Sequence, residues 1–404
     1  MRPAGSKTPT WLNRTVLGVG LASLLSDWSH EIATAAMPAF LASLGVAAAW
    51  LGIIEGVSDG LASFAKMGSG YYTDRLKRRK PIAVIGYLTT ALGTAAFALA
   101  TNAWHVLLAR AVAWFGRGVR TPVRKALLAG AVDRDAYGRA FGFERMLDTL
   151  GAIVGPASAL LILQVLNQNF RVLFLCTLVP GILAAAVIAF LVREQHRTPV
   201  AHISFGERLR QLPQTYRRFL VAVGLFGAGD FAHTLLILLG TQKLAASIGF
   251  SKATAITMSL YILHNVFYAS FSLVAGWCAD RMPKNQLLAM GYALAGVMAL
   301  VIILSPVNIP TFVAIFVLGG IYIAIEETVE DSLCAELVER EHHGMAFGVL
   351  ATVNGIGDSL SSIIVGLLWT AAGTTVAFSY SAILFFAGAI LMARLPIIEA
   401  RKAV

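Results

Sequence analysis

Long apolar stretches recur along the whole chain and are separated by short polar connections. Each stretch has about 20 or more residues, which at a rise of about 1.5 Å per residue lets a helix cross a hydrocarbon core of about 30 Å. This pattern predicts an all-α membrane protein with twelve transmembrane helices. The predicted spans are 15–43, 48–71, 81–101, 104–128, 138–166, 170–192, 218–246, 251–278, 284–305, 309–337, 343–372 and 374–395.

The composition agrees with a membrane location. Of 404 residues, 57% are apolar and 13% are charged, whereas soluble domains are roughly half apolar and about a quarter charged. A soluble fold could not cover so much apolar surface. The cysteines, Cys176, Cys278 and Cys334, are scattered in predicted spans, which excludes a disulfide framework and a zinc-binding spacing. The first ten residues lack a signal-peptide cleavage pattern, so we expect the first span to be retained.

The basic residues are concentrated in alternate connections between the spans. A net charge of +10 alone would suggest a nucleic-acid partner, but loops rich in Lys and Arg remain on the cytoplasmic side of a membrane. The remaining connections carry only Arg171, Lys243 and Lys252. We therefore predict that both termini are cytoplasmic, and nucleic-acid binding is disfavoured. The basic connections carry Arg75, Lys77, Arg78, Arg79, Lys80, Arg134, Arg193, Arg197, Arg208, Arg210, Arg217, Arg218, Arg281 and Lys284.

The two halves of the chain resemble each other at an offset close to 206 residues. The segment from Gly70 to Arg75 matches the segment from Gly276 to Arg281 in its glycine, aspartate and arginine. At an offset of 203, Asp-x-x-His recurs in the first and seventh spans. A six-helix unit used twice is typical of transporters that bind their substrate near the membrane midplane. We predict an N-terminal bundle over 1–192, a cytoplasmic linker over 193–217 and a C-terminal bundle over 218–404.

The connection between the second and third spans reads G-x-x-x-D-R-x-x-R-R-K and resembles the loop signature of the major facilitator superfamily. The resemblance covers the chain through span number, orientation and repeat, and it implies the fold of that family with two pseudo-symmetric six-helix bundles. It also implies that the glycine permits close helix approach, that the aspartate lies at a helix N-terminus, and that the basic residues anchor the cytoplasmic face. A simple basic anchor is the alternative. The signature residues are Gly70, Asp74, Arg75, Arg78 and Arg79.

Two further features resemble the drug/proton antiporters of that family. The fifth span carries Gly142, Gly151, Gly155 and Pro156, in which small residues permit tight helix contact and proline bends the helix. Plain helix packing is the alternative reading. Arg110, in the middle of the fourth span, occupies the region where the family places a buried arginine linked to proton transfer. The resemblance therefore implies proton antiport.

Ionisable residues lie inside several predicted spans. Such a residue costs several kcal/mol at the bilayer centre, so it faces protein or water and is a functional candidate. Asp27, His30 and Glu31 share one helix face, because they are spaced i, i+3 and i+4. We predict a proton and cation site from Asp27, His30, Glu31, Arg110, Asp230 and His233. Further candidates for a central cavity are Glu55, Asp59, Asp148, His264 and Asp358.

A carboxylate in a poorly solvated cavity can exchange a proton at cellular pH, and a bound cation competes with that proton. This competition would couple proton movement to solute movement. We expect Asp27 and Glu31 to act in this way, with Asp230 as their partner from the other half. The alternative is structural: the acids pair with neighbouring histidines or arginines and hold helices together.

Basic residues in the fourth span lie, at the offset of 206, opposite acidic residues in the tenth. Both sets are near the cytoplasmic ends of their spans, where desolvated pairs would attract on closing and separate on opening. We predict a cytoplasmic gate, while substrate-anion binding by Arg117, Arg120 and Arg124 and interfacial anchoring remain open. The predicted pairs are Arg120 with Glu326, Arg124 with Glu330, and Lys125 with Asp331.

Motifs for ATP-driven transport and for catalysis are absent from the sequence. There is no G-x-x-x-x-G-K-[ST] loop to hold nucleotide phosphates, and no H-E-x-x-H, G-x-S-x-G or C-x-x-C. We therefore predict a non-enzymatic, proton-coupled carrier without a cofactor, which exports a small organic cationic or amphipathic solute. We expect a monomer in a cell membrane, such as a bacterial inner membrane, contacting solute, protons and lipid.

The sequence leaves other functions open. A metal-ion or metal-chelate carrier is possible because Asp27, His30, Glu31, Asp230 and His233 offer oxygen and nitrogen ligands. The arginines could instead serve organic-anion transport. A membrane receptor or scaffold that transports nothing is the alternative from a different class.

Overall fold

The computed structural model describes residues 11–46, 49–165, 167, 169–194 and 205–396. Over these ranges the regular structure is helical and no strand is present. The sequence therefore predicted the all-α class correctly. The predictions for the first ten residues and for Arg197 in the linker lie outside the described residues.

Seven α-helices form the first half of the chain. Asparagine caps start three of them: Asn13 Oδ1 accepts the backbone N–H groups of Thr15 and Val16, the Asn102 side chain accepts that of His105, and the Asn169 side chain accepts that of Val172. These caps satisfy amides that lack partners inside the helix. The helices are α1 (Arg14–Ser43), α2 (Ala49–Thr73), α3 (Lys80–Ala95), α4 (Ala103–Gly130), α5 (Tyr137–Val165), α6 (Phe170–Cys176) and α7 (Leu178–Leu191).

Eight more α-helices follow in the described part of the second half. The first of them falls within the predicted linker 193–217, of which only the ends are described. The helices are α8 (Phe205–Gln211), α9 (Gln214–Gly227), α10 (Thr234–Ile248), α11 (Phe250–Ala279), α12 (Lys284–Leu304), α13 (Ile309–Leu337), α14 (His343–Ala372) and α15 (Thr374–Ala393).

Eight helical stretches in the described residues are long and apolar enough to cross a membrane. Helices α1, α2 and α4 have similar lengths of 30, 25 and 28 residues. The eight stretches are Lys80–Leu99, Arg134–Val165, Phe170–Leu191, Ala255–Ala279, Lys284–Leu304, Ile309–Leu337, Arg340–Ala372 and Thr374–Ala393.

The predicted seventh span is broken, and the prediction of one continuous helix over 218–246 was wrong. Helix α9 ends at Gly227 and α10 begins at Thr234. Glycine is a poor helix former, and Gly224, Gly227 and Gly229 crowd this segment. Two backbone groups in the break have side-chain partners: the Ala228 carbonyl oxygen accepts from the Tyr380 hydroxyl at 2.9 Å, and the Ala232 N–H donates to Ser362 Oγ at 3.0 Å. Such partners are required where backbone leaves a helix at membrane depth.

The chain divides into two compact units. In the described ranges, the first unit contains residues 11–194 with Glu339–Gly348, and the second contains 205–338 with 349–396. In the first unit α1 packs on α5 and α7, α2 on α4, and α3 on α4 and α7. In the second, α11 packs on α13, α12 on α13 and α15, α9 on α15, and α10 on α11. The predicted bundle boundaries stay a prediction.

Candidate transport site

In the first unit, α1 presents an acid–histidine–acid cluster. The His30 imidazole lies between two carboxylates, with Nδ1 3.5 Å from Asp27 Oδ1 and Nε2 3.2 Å from Glu31 Oε1. Nδ1 is also 3.0 Å from the Ser26 carbonyl oxygen. The His30 and Asp27 side chains are 1% and 7% exposed, whereas that of Glu31 is 27% exposed. The cluster therefore runs from a partly accessible acid through a buried imidazole to a buried acid.

Two glycines of α5 set the position of this cluster. A β-carbon at Gly155 would lie 2.5 Å from Glu31 Cβ, and one at Gly151 would lie 3.0 Å from Asp27 Cβ. Because neither glycine has a β-carbon, α1 can approach α5 closely at the two turns that carry the acids. Gly142 is also buried, and Pro156 lies inside α5. Two of the three glycines singled out in the sequence, Gly151 and Gly155, thus lie against the predicted proton site.

Arg110 on α4 stacks on an aromatic ring. Its Cζ lies 3.4 Å from the Trp114 ring centroid, and its NH1 group donates to Thr34 Oγ1 at 2.9 Å. Trp114 Nε1 in turn donates to Asp59 Oδ1 at 2.6 Å. Asp59 and Glu55 are exposed on α2. The arginine is therefore held by α1 and α4, and its tryptophan by α2. Trp114 was given no role from the sequence, although its spacing of four residues from Arg110 places both side chains on one helix face.

Arg124 has ion-pair partners within its own unit. Its guanidinium lies 3.0 Å from Glu144 Oε1 and 3.2 Å from Asp148 Oδ1, and it donates to Ser23 Oγ at 2.6 Å. Arg145 adds a contact of 3.2 Å to the second oxygen of Asp148. The sequence prediction placed Asp148 in a central cavity, but the structure shows it buried between two arginines. Glu144 was missed.

The other predicted gate residues are described unit by unit. Arg120 is 1% exposed and its Cζ lies 4.2 Å from the Tyr87 ring centroid. On α13, Glu326 and Asp331 are buried, and Glu330 accepts from the Tyr292 hydroxyl and from Asn354 Nδ2. Lys125 is half-buried on α4. The pairing of these residues as a gate stays a prediction.

The second unit holds a cluster at the break between α9 and α10. The Tyr322 hydroxyl of α13 donates to Asp230 Oδ1 at 3.0 Å and lies 3.3 Å from His233 Nε2. The His233 ring packs on that of His264 with a centroid distance of 4.6 Å. His264 Nδ1 is 3.2 Å from the Phe316 carbonyl oxygen. The structure thus brings Asp230, His233 and His264 together. Asp358, in contrast, is exposed on α14.

The signature loop also makes defined contacts. Asp74 is buried and accepts the backbone N–H groups of Gly344 at 3.0 Å and Met345 at 2.8 Å, in the first turn of α14. It also forms an ion pair with Arg79. Burial lowers the pKa of Arg79, while the carboxylate of Asp74 opposes that shift. This is the helix N-terminus position that the sequence resemblance implies for Asp74.

The remaining signature residues surround that aspartate or face solvent. Gly70 lies against the Gly344 carbonyl oxygen, where a β-carbon would not fit. The Arg75 guanidinium lies 4.0 Å from the Tyr71 ring centroid, and Arg78 is exposed.

Residues 19–237 and 219–403 match the family model of the Major Facilitator Superfamily. The chain belongs to this superfamily. Its members are transporters and not enzymes, so the sequence predictions of a non-enzymatic transporter and of this fold are confirmed.

The relatives within the superfamily are distant. An uncharacterized MFS-type transporter of Methanocaldococcus jannaschii is 26% identical over 381 residues, covering 94% of each chain. The multidrug resistance protein MdtH of Photorhabdus laumondii is 25% identical over 322 residues, covering 77% of this chain and 76% of its own. The crystal structure of the human organic anion transporter MFSD10 superimposes with a TM-score of 0.76 at 15% identity, covering 94% of this chain and 99% of that one. This last similarity shows the fold alone.

Proposed function

We propose that this superfamily member is a proton-coupled secondary transporter that exports an organic cationic or amphipathic solute by alternating access. The observation that carries the proposal is the Asp27–His30–Glu31 cluster, which keeps two carboxylates at ion-pair distance from one buried imidazole. A proton and a cationic solute would compete for these carboxylates, and that competition couples their movements. The similarity to a multidrug resistance protein over 77% of the chain supports export of such solutes.

Different residues would carry the steps of this transport. Asp27 and Glu31 would exchange the proton, with His30 between them. Arg110 would supply a fixed positive charge near Glu31. In the second unit, Asp230 and His233 would take part in coupling. Residues that would line the solute path are Glu55, Asp59, His264 and Asp358.

We also propose that the protein is a monomer in a cell membrane, such as a bacterial inner membrane. It contacts lipid, and both of its termini are cytoplasmic. The basic connections support this orientation. Labelling single cysteines at each end of a cysteine-free variant with a membrane-impermeant maleimide in intact cells tests it. Labelling of one end but not the other would contradict an even number of spans.

The main experiment measures flux in proteoliposomes. Purified protein is reconstituted, and ethidium, a fluorescent organic monocation, is followed with and without a pH gradient. We expect the gradient to drive ethidium in the wild type and to lose its effect in Asp27→Asn. Asp133→Asn, which removes the same charge from an exposed loop, is the matched control. Retained coupling in Asp27→Asn would remove this residue from the mechanism, and absence of any flux across a panel of solutes would favour a receptor or scaffold.

One observation favours a second candidate, organic-anion transport. Arg120 is buried, and its Nε and NH1 atoms have no hydrogen-bond partner among the described residues. A solute carboxylate would form a charge-assisted hydrogen bond with this guanidinium. Competition experiments separate export of an organic cation from organic-anion and metal transport. Inhibition of ethidium flux by benzoate would favour an organic anion, and inhibition by divalent metals would favour a metal ion. Metal transport has less support, since no group of three or more His, Cys, Asp or Glu suited to a metal ion was found where the structure is described.

A further inference from the structure

The Asp-x-x-His repeat has the same sequence spacing in the two units but a different local structure in each. In the first unit Asp27 and His30 lie on the continuous helix α1, with the imidazole nitrogen 3.5 Å from the carboxylate. In the second unit Asp230 and His233 lie in the break between α9 and α10. A side chain from a different helix, Tyr322 of α13, contacts both of them.

Tyr322 is suited to carry a proton between its two partners. Its oxygen is 3.0 Å from Asp230 Oδ1 and 3.3 Å from His233 Nε2. A hydroxyl can donate to one group and accept from another at the same time. The Tyr322 side chain is buried with 1% exposure, so water does not compete for either contact.

The accessible end of this arrangement is the histidine. His233 is half-buried, whereas Asp230 is 9% exposed. The first unit has the same order of exposure, because Glu31 is partly exposed while His30 and Asp27 are buried. In each unit a partly accessible titratable group is followed by a buried bridging group and then by a buried aspartate.

We propose that the second unit holds a proton site of its own, in which Tyr322 relays a proton from His233 to Asp230, so that each unit binds one proton in a transport cycle. A proton from water binds Nδ1 of His233 and forms an imidazolium. The Nε2 proton then moves to the Tyr322 oxygen as the Tyr322 hydroxyl proton moves to Asp230 Oδ1. The imidazole ends neutral with its proton on Nδ1, and Asp230 ends as an uncharged carboxylic acid.

The charged and titratable groups around the two aspartates differ. Asp27 faces His30 on its own helix, basic residues of α4 and Asp148 of α5. Around Asp230 and His233 the neighbours are acids, phenols and an imidazole, so protonating Asp230 relieves repulsion between carboxylates. The α4 residues are Arg117 and Arg120. The neighbours in the second unit are Tyr322, Glu326, Glu327 and Glu330 of α13, Tyr292 of α12 and His264 of α11, while Asp358 of α14 faces Tyr322 and Glu326.

This inference rests on the proposed function and deepens it, because it replaces one shared proton site by two. The test is infrared difference spectroscopy of the purified protein in lipid during a pH titration, which detects the carbonyl stretch of protonated carboxyl groups and needs no solute. We expect Asp27→Asn and Asp230→Asn each to lose one band, and the double variant to lose both, since independent sites are additive. If either single variant loses both bands, the two-site inference is wrong.

The relay role is tested on the same samples. Tyr322→Phe should keep the Asp230 band at a shifted frequency and slow its appearance after a pH jump by at least about tenfold, because a positioned proton donor contributes roughly 10²–10⁴-fold. His233→Gln should slow it as well. Tyr380→Phe is the matched control, since that hydroxyl lies at the same break but donates to the Ala228 carbonyl oxygen.

Each outcome has a distinct consequence. An Asp230 band that is unchanged in frequency and rate in Tyr322→Phe would exclude the relay. Two intact bands without ethidium flux would count against the proposed function alone. One shared band with intact flux would overturn this inference alone.

Discussion

Arg124 shows how a buried charge is stabilised at the level of single residues. Its guanidinium is neutralised by Glu144 and Asp148, and Ser23 bridges it to the first of these, with Ser23 Oγ donating to Glu144 Oε1 at 2.6 Å. Removing one partner of a buried ion pair leaves an uncompensated charge, which is strongly destabilising. This network therefore holds α4 against α1 and α5.

The first prediction concerns Glu144→Gln. The substitution keeps the shape and the contact with Ser23 but removes one negative charge facing Arg124, so we expect a loss of about 1.5–3 kcal/mol, the range for hydrogen bonds to charged groups. The measurement is the melting temperature in detergent, followed by reaction of a thiol dye with the buried Cys334. We expect a decrease of several degrees.

Asp133→Asn serves as the control for that comparison, because Asp133 is exposed and surface charges contribute little. Equal melting temperatures for the wild type and Glu144→Gln would show that Arg124 does not depend on this carboxylate.

The sequence identified ionisable residues inside the spans, although not Glu144, and it did not reveal partners on other helices. Spacing alone placed Asp27, His30 and Glu31 on one helix face, and the structure shows them in contact. Tyr322 could not be found in this way, because it reaches Asp230 from a helix 92 positions further along the chain. Periodicity describes one helix at a time, whereas a partner on another helix depends on the packing of both.

At the level of helices, the contact between α1 and α5 links the glycine motif to the acids. The close approach at Gly151 and Gly155 brings the α5 backbone against the turns that carry Asp27 and Glu31. Small residues drive helix association in membranes through such close packing. The motif thus fixes where the acids lie relative to α5.

The second prediction is that Gly155→Ala impairs coupling. The added methyl group would lie 2.5 Å from Glu31 Cβ, so α1 must shift away. Overpacking of this kind costs about 1–3 kcal/mol. We expect a lower melting temperature together with at least about a tenfold loss of gradient-driven ethidium flux, since small displacements of reacting groups are costly.

Gly366→Ala is the matched control for that variant, because Gly366 lies in helix α14 with nothing within 4 Å of the added methyl group. Normal flux in Gly155→Ala would separate the glycine motif from the proton site.

The broken helix shows the limit of hydropathy as a guide to helices. The segment 218–246 is apolar enough to be taken for one span, and an apolar run does not reveal where the helical hydrogen bonds stop. The three glycines before Asp230 were the available signal. The glycines allow the helix to stop. Tyr380 and Ser362, on other helices, supply hydrogen-bond partners for two backbone groups in the break.

At the scale of the whole molecule, the repeat carries opposite charges at equivalent positions of α4 and α13. Hydropathy predicted the all-α membrane class, and the loop signature together with the internal repeat indicated the superfamily. The sequence did not show which of these charges have a partner within their own unit. Arg124 and Glu330 have partners inside their own units, whereas Arg120 Nε and NH1 and Glu326 Oε2 are buried without a hydrogen-bond partner among the described residues.

The third prediction uses this difference to test the gate. Arg120→Glu and Glu326→Arg should each reduce ethidium flux in proteoliposomes by at least about tenfold, because each leaves a buried charge uncompensated. If the two residues pair during the cycle, the double exchange restores the attraction, and the flux of the double variant should recover well beyond the product of the single losses.

Exchanging Arg124 and Glu330 is the matched comparison. Flux in that double variant should not recover, because the exchange breaks contacts to Glu144 and Asn354 that it cannot replace. Recovery in neither double variant would leave Arg120 available for an anionic solute, whereas recovery in both would show that charge balance alone is sufficient.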